Sequence, residues 1–392
     1  MRYDFDHVPN RRPTDSIKWN KFQEDVIPLW VADMDYPAAD PIQQAIRDRI
    51  NEGIYGYPDS HCSFGMFVEL RQVLVERMQK LYSWQVSPDD FLFLPGVITG
   101  LNLTCQALAE PGGNVLMQTP VYPPFLSLGQ NAGMERHEAE LNRRTDGYYE
   151  IDWEAFETSV NNRTKLFILS NPHNPVGRVF RKDELERMAE ICLRNGVVIC
   201  SDEIHCDLLF KGKKHLPIAS LDKEISQNTV TLMSPTKTFN IAGLQCSFAI
   251  VQNPDLRKLL EQSMKGLVMW VNLIGLTAAL AAYRDGEEWL EQALHYLEGN
   301  RDYLFEYVRD QLPILQMVKP EGTYLAWIDC RNSGIVGNPC EFFLKQARVG
   351  LNDGSTFGSG GEGFVRLNFA CAWVLLTQAL ERMKAALETK AG

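Results

Sequence analysis

The residues with the most chemistry per position lie between Ser234 and Leu244, a stretch that reads Ser-Pro-Thr-Lys-Thr-Phe-Asn-Ile-Ala-Gly-Leu. Lys237 sits there between the hydroxyls of Thr236 and Thr238, with Ser234 just upstream. An apolar, β-branched run over residues 229–233 leads into it as a buried strand would. Asn240 and Gly243 behind it predict a turn rather than a helix. Taken alone, the stretch is more simply read as carrying a solvated surface lysine. A primary amine at a strand end, flanked by hydroxyls, is also what a Schiff-base nucleophile beside a phosphate site looks like. What separates the two readings is whether other strand ends supply the remaining groups.

They do, in order along the chain. Residues 197–204, Val-Val-Ile-Cys-Ser-Asp-Glu-Ile, are an apolar run with the acidic pair Asp202 and Glu203 at its end. Residues 166–170 run into Asn171-Pro-His-Asn-Pro-Val-Gly177, where Asn174 is a candidate amide donor. Residues 114–119 lead to Tyr122, a candidate flat face for stacking. A lysine amine, a carboxylate against a pyridine nitrogen, a donor for a ring oxygen and an aromatic over the ring are what pyridoxal 5'-phosphate requires. The carboxylate of Asp202 would keep the nitrogen protonated and the ring an electron sink. For the phosphate, Leu94-Pro-Gly-Val-Ile-Thr-Gly100 precedes an apolar helix over 101–108. Its start offers unpaired N–H groups and the positive dipole end, so Gly96, Val97 and Ile98 are candidate main-chain contacts, with the hydroxyls of Ser234 and Thr236 nearby. By itself that stretch is equally a plain turn before a core helix. Arg366 stands in the apolar strand pattern of residues 363–370, where a half-buried arginine would ordinarily pair with a core carboxylate.

Positioning these groups calls for an α/β architecture. Strand-like segments at 114–119, 136–141, 166–171, 197–204 and 229–233 alternate with helix-like ones at 153–160 and 183–195, the last closed by Gly196 as a C-cap. This alternation implies a mostly parallel sheet, whose ligands sit beyond the carboxyl ends of the strands. Tyr122, Asn174, Asp202 and Lys237 each follow such a strand, so four motifs converge on one sheet edge. Further helices are expected at 41–50, opened by Pro41, and at 67–81, 256–264 and 273–283, with a strand at 246–252. After about Asp285 the pattern turns to long amphipathic helices and short strands, marking a second domain. The glycine-rich stretch 358–363 reads as a mobile loop or tight connection, since no strand–helix context makes it a nucleotide fingerprint.

Composition narrows the partners. With 392 residues the chain can hold two domains and a core that needs no staples. A net charge of -11 argues against nucleic acid and anionic membrane surfaces as partners. No apolar run reaches the length of a membrane span, and the acidic start Met1-Arg-Tyr-Asp-Phe-Asp6 is unlike a signal peptide, so a cytoplasmic location is expected. Nine scattered cysteines without a Cys-X-X-Cys pair favour buried packing over disulfides or zinc.

The ordered set Asn-Pro-X-Asn-Pro-X-Gly, Asp-Glu and Ser-X-X-Lys resembles the fold-type I pyridoxal phosphate enzymes of the class I/II aminotransferase superfamily. Trp30-Val-Ala-Asp-Met-Asp35, Asp202-Glu-Ile-His205, Lys237-Thr-Phe-Asn-Ile-Ala-Gly243 and Glu321-Gly-Thr-Tyr-Leu-Ala-Trp327 resemble its MalY/PatB-type C–S β-lyase branch, which includes the cystalysin-like cystathionine β-lyases. The resemblance implies a large pyridoxal phosphate-binding domain over residues 45–285 with a mostly parallel seven-stranded sheet. It also implies a smaller α+β domain made of residues 1–44 and 286–392. It assigns Lys237, Asp202 and Tyr122 to catalysis and adds His205 to the cofactor contacts. Arg366, with Asn174, would hold the α-carboxylate of a small amino-acid substrate. Tyr57, in the loop Gly53-Ile-Tyr-Gly-Tyr-Pro58, would reach the cofactor phosphate of the opposite subunit in a homodimer. Two departures stand out. Pro123 replaces a second tyrosine found next to Tyr122 in the cystalysin-like proteins. Gln245 stands where many aminotransferases place a phosphate-binding arginine, which favours the lyase branch over transamination by the same residues. A third reading is a cofactor-binding protein whose main work is contacting another protein.

Overall fold

The chain is described by a computed structural model over residues 3–59 and 64–390; Met1, Arg2 and Cys62 lie outside the described residues. Its centre is a seven-stranded sheet built from β1 (Phe91–Leu94), β2 (Asn114–Thr119), β3 (Glu135–Glu140), β4 (Thr164–Ser170), β5 (Val198–Asp202), β6 (Thr229–Met233) and β7 (Ser247–Ile250). Across the sheet the order is β1-β7-β6-β5-β4-β2-β3. Only β7 runs antiparallel to its neighbours; β6, β5, β4, β2 and β3 pair in parallel. β2 and β6 are buried at every position, which is why they read as continuous apolar runs rather than alternating ones.

The helices that matter for the site are α1 (Asp40–Glu52), α2 (Met66–Tyr82), α3 (Val97–Ala107), α4 (Lys182–Arg194), α5 (Pro235–Thr238), α6 (Leu273–Asp285), α7 (Glu287–Gln311) and α8 (Trp373–Lys390). Gly100 lets α3 lie close on the sheet, because a Cβ there would come within 2.7 Å of a Leu232 methyl. A second, wholly antiparallel sheet holds β8 (Gln316–Met317), β9 (Leu325–Asp329), β10 (Asn352–Asp353) and β11 (Phe364–Asn368) in the order β8-β9-β11-β10. The amino-terminal residues 27–28 pair with 349–350, and Leu29, Met34 and Tyr36 share one core with Trp289 of α7 and Leu380 of α8. Residues 27–36 are thus packed into the carboxyl-terminal part of the molecule.

Two local expectations are corrected. The turn expected around Lys237 is a single helical turn, α5: the Ser234 hydroxyl accepts from Thr236 N–H and Pro235 occupies the first turn, both helix-start signals that Asn240 and Gly243 outweighed in the sequence. The helix expected from residue 101 begins at Val97, so residues read as a loop form its first turn. The glycine-rich stretch is a tight connection, with Ser359 hydrogen-bonded to Glu138 and Glu140 of β3. The eight described cysteines are all free, and among the described residues no cluster of metal-ligating side chains occurs. Among those residues no helix is long and apolar enough to cross a membrane.

Candidate active site

β6, β5, β4 and β2 are consecutive neighbours in the sheet, and their carboxyl ends deliver Lys237, Asp202, Asn174 and Tyr122 in that spatial order. The ends are level, since Asp202 pairs with Ser170 on one side and Leu232 on the other. Beyond them lies a cavity of about 320 Å³ lined by all four residues and by Gly96, Val97, Ile98, His205 and Thr236. Nine of the residues singled out in the sequence therefore share one space.

Asp202 is buried, accepts one hydrogen bond from Ile204 N–H at 3.1 Å, and has no cation paired with it among the described residues. Burial raises its carboxyl to about 7. Behind it, Glu203 is sealed off by His215 at 2.6 Å and the Ser201 hydroxyl at 2.8 Å. Burial likewise lowers the Lys237 amine to about 8, with Arg366 pushing the same way and Asp33 and Asp202 opposing. The amine donates to the Ala32 carbonyl at 2.7 Å. His205 is held near 3, so its ring is neutral; its Nδ1 has no partner among the described residues.

Arg366 is fully buried rather than half-buried, and its partners are neutral: Asn174 Oδ1 at 3.0 Å, the Trp30 carbonyl at 3.0 Å and Asn352 Oδ1 at 2.7 Å. The core carboxylate that would satisfy a structural arginine does not appear among the described residues. A buried guanidinium without a counter-ion is suited to an incoming carboxylate. Its bond to Asn174 also fixes that amide, because an arginine can only donate: Oδ1 faces Arg366, which leaves the Asn174 N–H groups for the cavity.

At the other end of the cavity, the first hydrogen bond of α3 runs from Gly100 N–H to the Gly96 carbonyl, so the N–H groups of Val97, Ile98 and Thr99 stand outside the helix ladder. Three residues named from the sequence stand outside the cavity lining, and one of them is Arg366, which meets it through Asn174. The Ser234 hydroxyl caps α5 and donates to the Cys246 carbonyl at 2.8 Å, outside the cavity lining. Tyr57 is 85% exposed and rests on Trp270 with ring centroids 4.7 Å apart. Conversely, Ala32, Thr99, Ser170 and Ile204 line the cavity without having been singled out, and Gln245 joins them in a left-handed conformation at φ 51°. Thr99 lies inside the stretch 94–100 and Ser170 ends the apolar run 166–170, so their position in these stretches is the signal the sequence carries for them. Ala32 carries no chemical signal of its own.

The residues fit pyridoxal phosphate. An unpaired buried carboxyl suits a pyridinium nitrogen, a neutral imidazole with an orphaned Nδ1 lines the same space, and free helix-start N–H groups suit a phosphate.

The family model for aminotransferase class I and II matches residues 24–383. Cystathionine beta-lyase PatB of Bacillus subtilis is 39% identical over 98% of this chain and 99% of its own length. Cystalysin of Treponema denticola, whose crystal structure contains pyridoxal 5'-phosphate, superposes with a TM-score of 0.94 at 30% identity, covering 100% of both chains. The pyridoxal phosphate-bound C–S lyase of Staphylococcus hominis gives a TM-score of 0.91 at 34% identity over 98% of this chain and 99% of its own.

Proposed function

Because this chain belongs to the aminotransferase class I and II family, with relatives named as β-lyases along its whole length, we propose that it is a pyridoxal phosphate-dependent carbon–sulfur lyase. It cleaves L-cystathionine or a related cysteine S-conjugate to pyruvate, ammonia and a thiol. The observation that carries this reading is the convergence of Lys237, Asp202, Asn174 and Tyr122 on four adjacent parallel strand ends around one cavity.

When bound, pyridoxal phosphate supplies the electron sink for the charge left at the substrate Cα. The chain supplies everything else. Arg366 takes the substrate carboxylate as a fork, with Asn174 beside it. Lys237, whose amine titrates near 8, is poised to accept the α-proton near neutral pH. Asp202 would favour a protonated ring nitrogen, Asn174 would offer its amide N–H to the ring oxygen, and Tyr122 would offer a stacking face. The N–H groups of residues 97–99 and the Thr236 hydroxyl would hold the phosphate. The sulfur leaves Cβ as a thiolate, and hydrolysis yields pyruvate and ammonia. Gln245 brings no positive charge to the phosphate end of the cavity, in keeping with the lyase branch.

The proposal extends to the assembly. The exposed Tyr57 serves the opposite site of a homodimer, and the enzyme works in the cytoplasm. Mixing Tyr57→Phe with Lys237→Ala chains should restore one working site per heterodimer; an active monomer would contradict it. We also place residues 45–285 in the cofactor lobe and residues 1–44 with 286–392 in the small lobe. α1 spans the first boundary, and Gly286 separates α6 from α7 at the second.

The test of the reaction is a side-by-side assay on one preparation. Pyruvate and thiol from cystathionine are measured against amino transfer to an oxo-acid. Faster transfer with no thiol from any sulfur substrate would make the enzyme an aminotransferase.

A further inference from the structure

The Ala32 carbonyl accepts two hydrogen bonds, from Lys237 Nζ at 2.7 Å and from the Tyr324 hydroxyl at 2.9 Å. Tyr324 is fully buried at the entry to β9, with its ring edge-on to His205 at 6.0 Å. The segment carrying Ala32 is fixed on both sides. Asn368 Nδ2 donates to the Val31 carbonyl at 2.5 Å and the Asp33 carbonyl at 2.6 Å. Asn240 accepts from Met34 N–H and donates to the Met34 and Tyr36 carbonyls. Both donors therefore address an oxygen that cannot drift away from either. We propose that Tyr324 is a positioning residue for the base: by sharing the Ala32 carbonyl with Lys237, its hydroxyl weakens that oxygen's hold on the protonated amine, which favours the neutral form and keeps the amine aimed.

The physical reason is local. An ammonium seeks acceptors, and a carbonyl wholly available to it favours the charged form. A phenol proton donated to the same oxygen spends part of that acceptor capacity and places a partial positive charge close to the amine. The charged and titratable groups around Lys237 come from several elements. Asp33 on the Ala32 segment and Asp202 at the end of β5 favour the ammonium, and Arg366 of β11 opposes it. His205, which is neutral, and Tyr122 complete the ring of titratable groups at the cavity. Replacing Tyr324 by Phe leaves all of these in place and removes only the hydroxyl.

This inference rests on Lys237 being the attachment residue, and its test separates the two claims. The full chain is freed of cofactor, and capture of added pyridoxal phosphate is followed by visible absorbance across pH. Borohydride trapping and peptide mapping then locate the label. Only the neutral amine attacks, so the capture rate rises with pH through the amine's pKa. For Tyr324→Phe the midpoint should move upward by about half a unit or more, which lowers the rate at neutral pH about threefold, since tenfold corresponds to one unit. At high pH the two chains should converge. A difluorotyrosine at 324, a stronger donor of the same shape, should move the midpoint the opposite way and guards against a folding defect in the first variant. An unchanged midpoint in both, or shifts of the same sign, would overturn the role of Tyr324. A label on another lysine in the unmodified chain would remove the premise and the proposal together.

Discussion

Two regions build this site by different routes. The strand-end region carries each functional group at the end of a buried parallel strand or a few residues after it, so chain order, read backwards, becomes spatial order across the sheet. The segment over residues 30–36 contributes mostly its backbone. The Trp30 carbonyl accepts from Arg366, the Ala32 carbonyl from Lys237 and Tyr324, and the Val31 and Asp33 carbonyls from Asn368. The first region supplies the chemistry. The second sets where the base and the carboxylate fork point, and it does so from the opposite end of the sequence. Loss of a strand-end group should therefore remove a chemical step, whereas loss of a segment partner should misalign one.

Asp202→Ala should show the largest effect. A ring nitrogen left unpaired in a buried place should cost on the order of 3–5 kcal/mol of transition-state stabilisation. The measurement is pyruvate formation by variant protein saturated with cofactor. Activity within tenfold of the unmodified enzyme would mean that Asp202 does not face the ring nitrogen.

Arg366→Ala should follow. Losing a charge-assisted bidentate contact to the substrate carboxylate should cost about 2–4 kcal/mol in kcat/KM. Arg366→Lys should recover only part of this, because a point charge does not reproduce the fork.

Asn368→Ala should act through the backbone segment and cost about 1–2 kcal/mol, the scale of a lost buried hydrogen bond. The loss should fall mainly on kcat, because the residue touches neither substrate nor cofactor. A loss confined to KM would contradict the division between the two regions.

A prediction of a different kind concerns stability against pH in the cofactor-free chain. Burial raises the Asp202 carboxyl to about 7, so the folded chain binds this proton more tightly than the unfolded chain does. Its contribution to stability is complete below the ordinary carboxylate range and is lost as pH rises toward about 7. Asp202→Asn lacks this loss. Its stability relative to the unmodified chain should thus rise across that window, as read from urea midpoints at a series of pH values.

Legibility in the sequence followed the same divide. The continuous apolar runs of β2, β4, β5 and β6 disclosed the parallel sheet, and the residues behind them disclosed Tyr122, Asn174, Asp202 and Lys237. Ala32 escaped notice because a carbonyl is common to every residue, and only tertiary packing selects which one faces the amine. Arg366 was legible as an oddity in an apolar strand. Its neutral partners Asn174 and Asn352, and hence its want of a counter-ion, emerge only when β10 and β11 meet the end of β4. Ser234 reads in sequence as a phosphate ligand because a cap and a ligand need the same hydroxyl; in the fold the cap and the Cys246 carbonyl have claimed it. Tyr57 lies exposed against Trp270 on the single chain, and the role proposed for it requires a second subunit.

The most direct measurement is covalent. The purified enzyme, treated with borohydride in the presence of its cofactor, is digested and the modified peptide sequenced. The expected result is a visible absorbance band that borohydride abolishes, with one modified residue, Lys237, in the peptide spanning 234–244. A modification spread over surface lysines, or placed on any lysine outside that stretch, would contradict the assignment of the strand-end site.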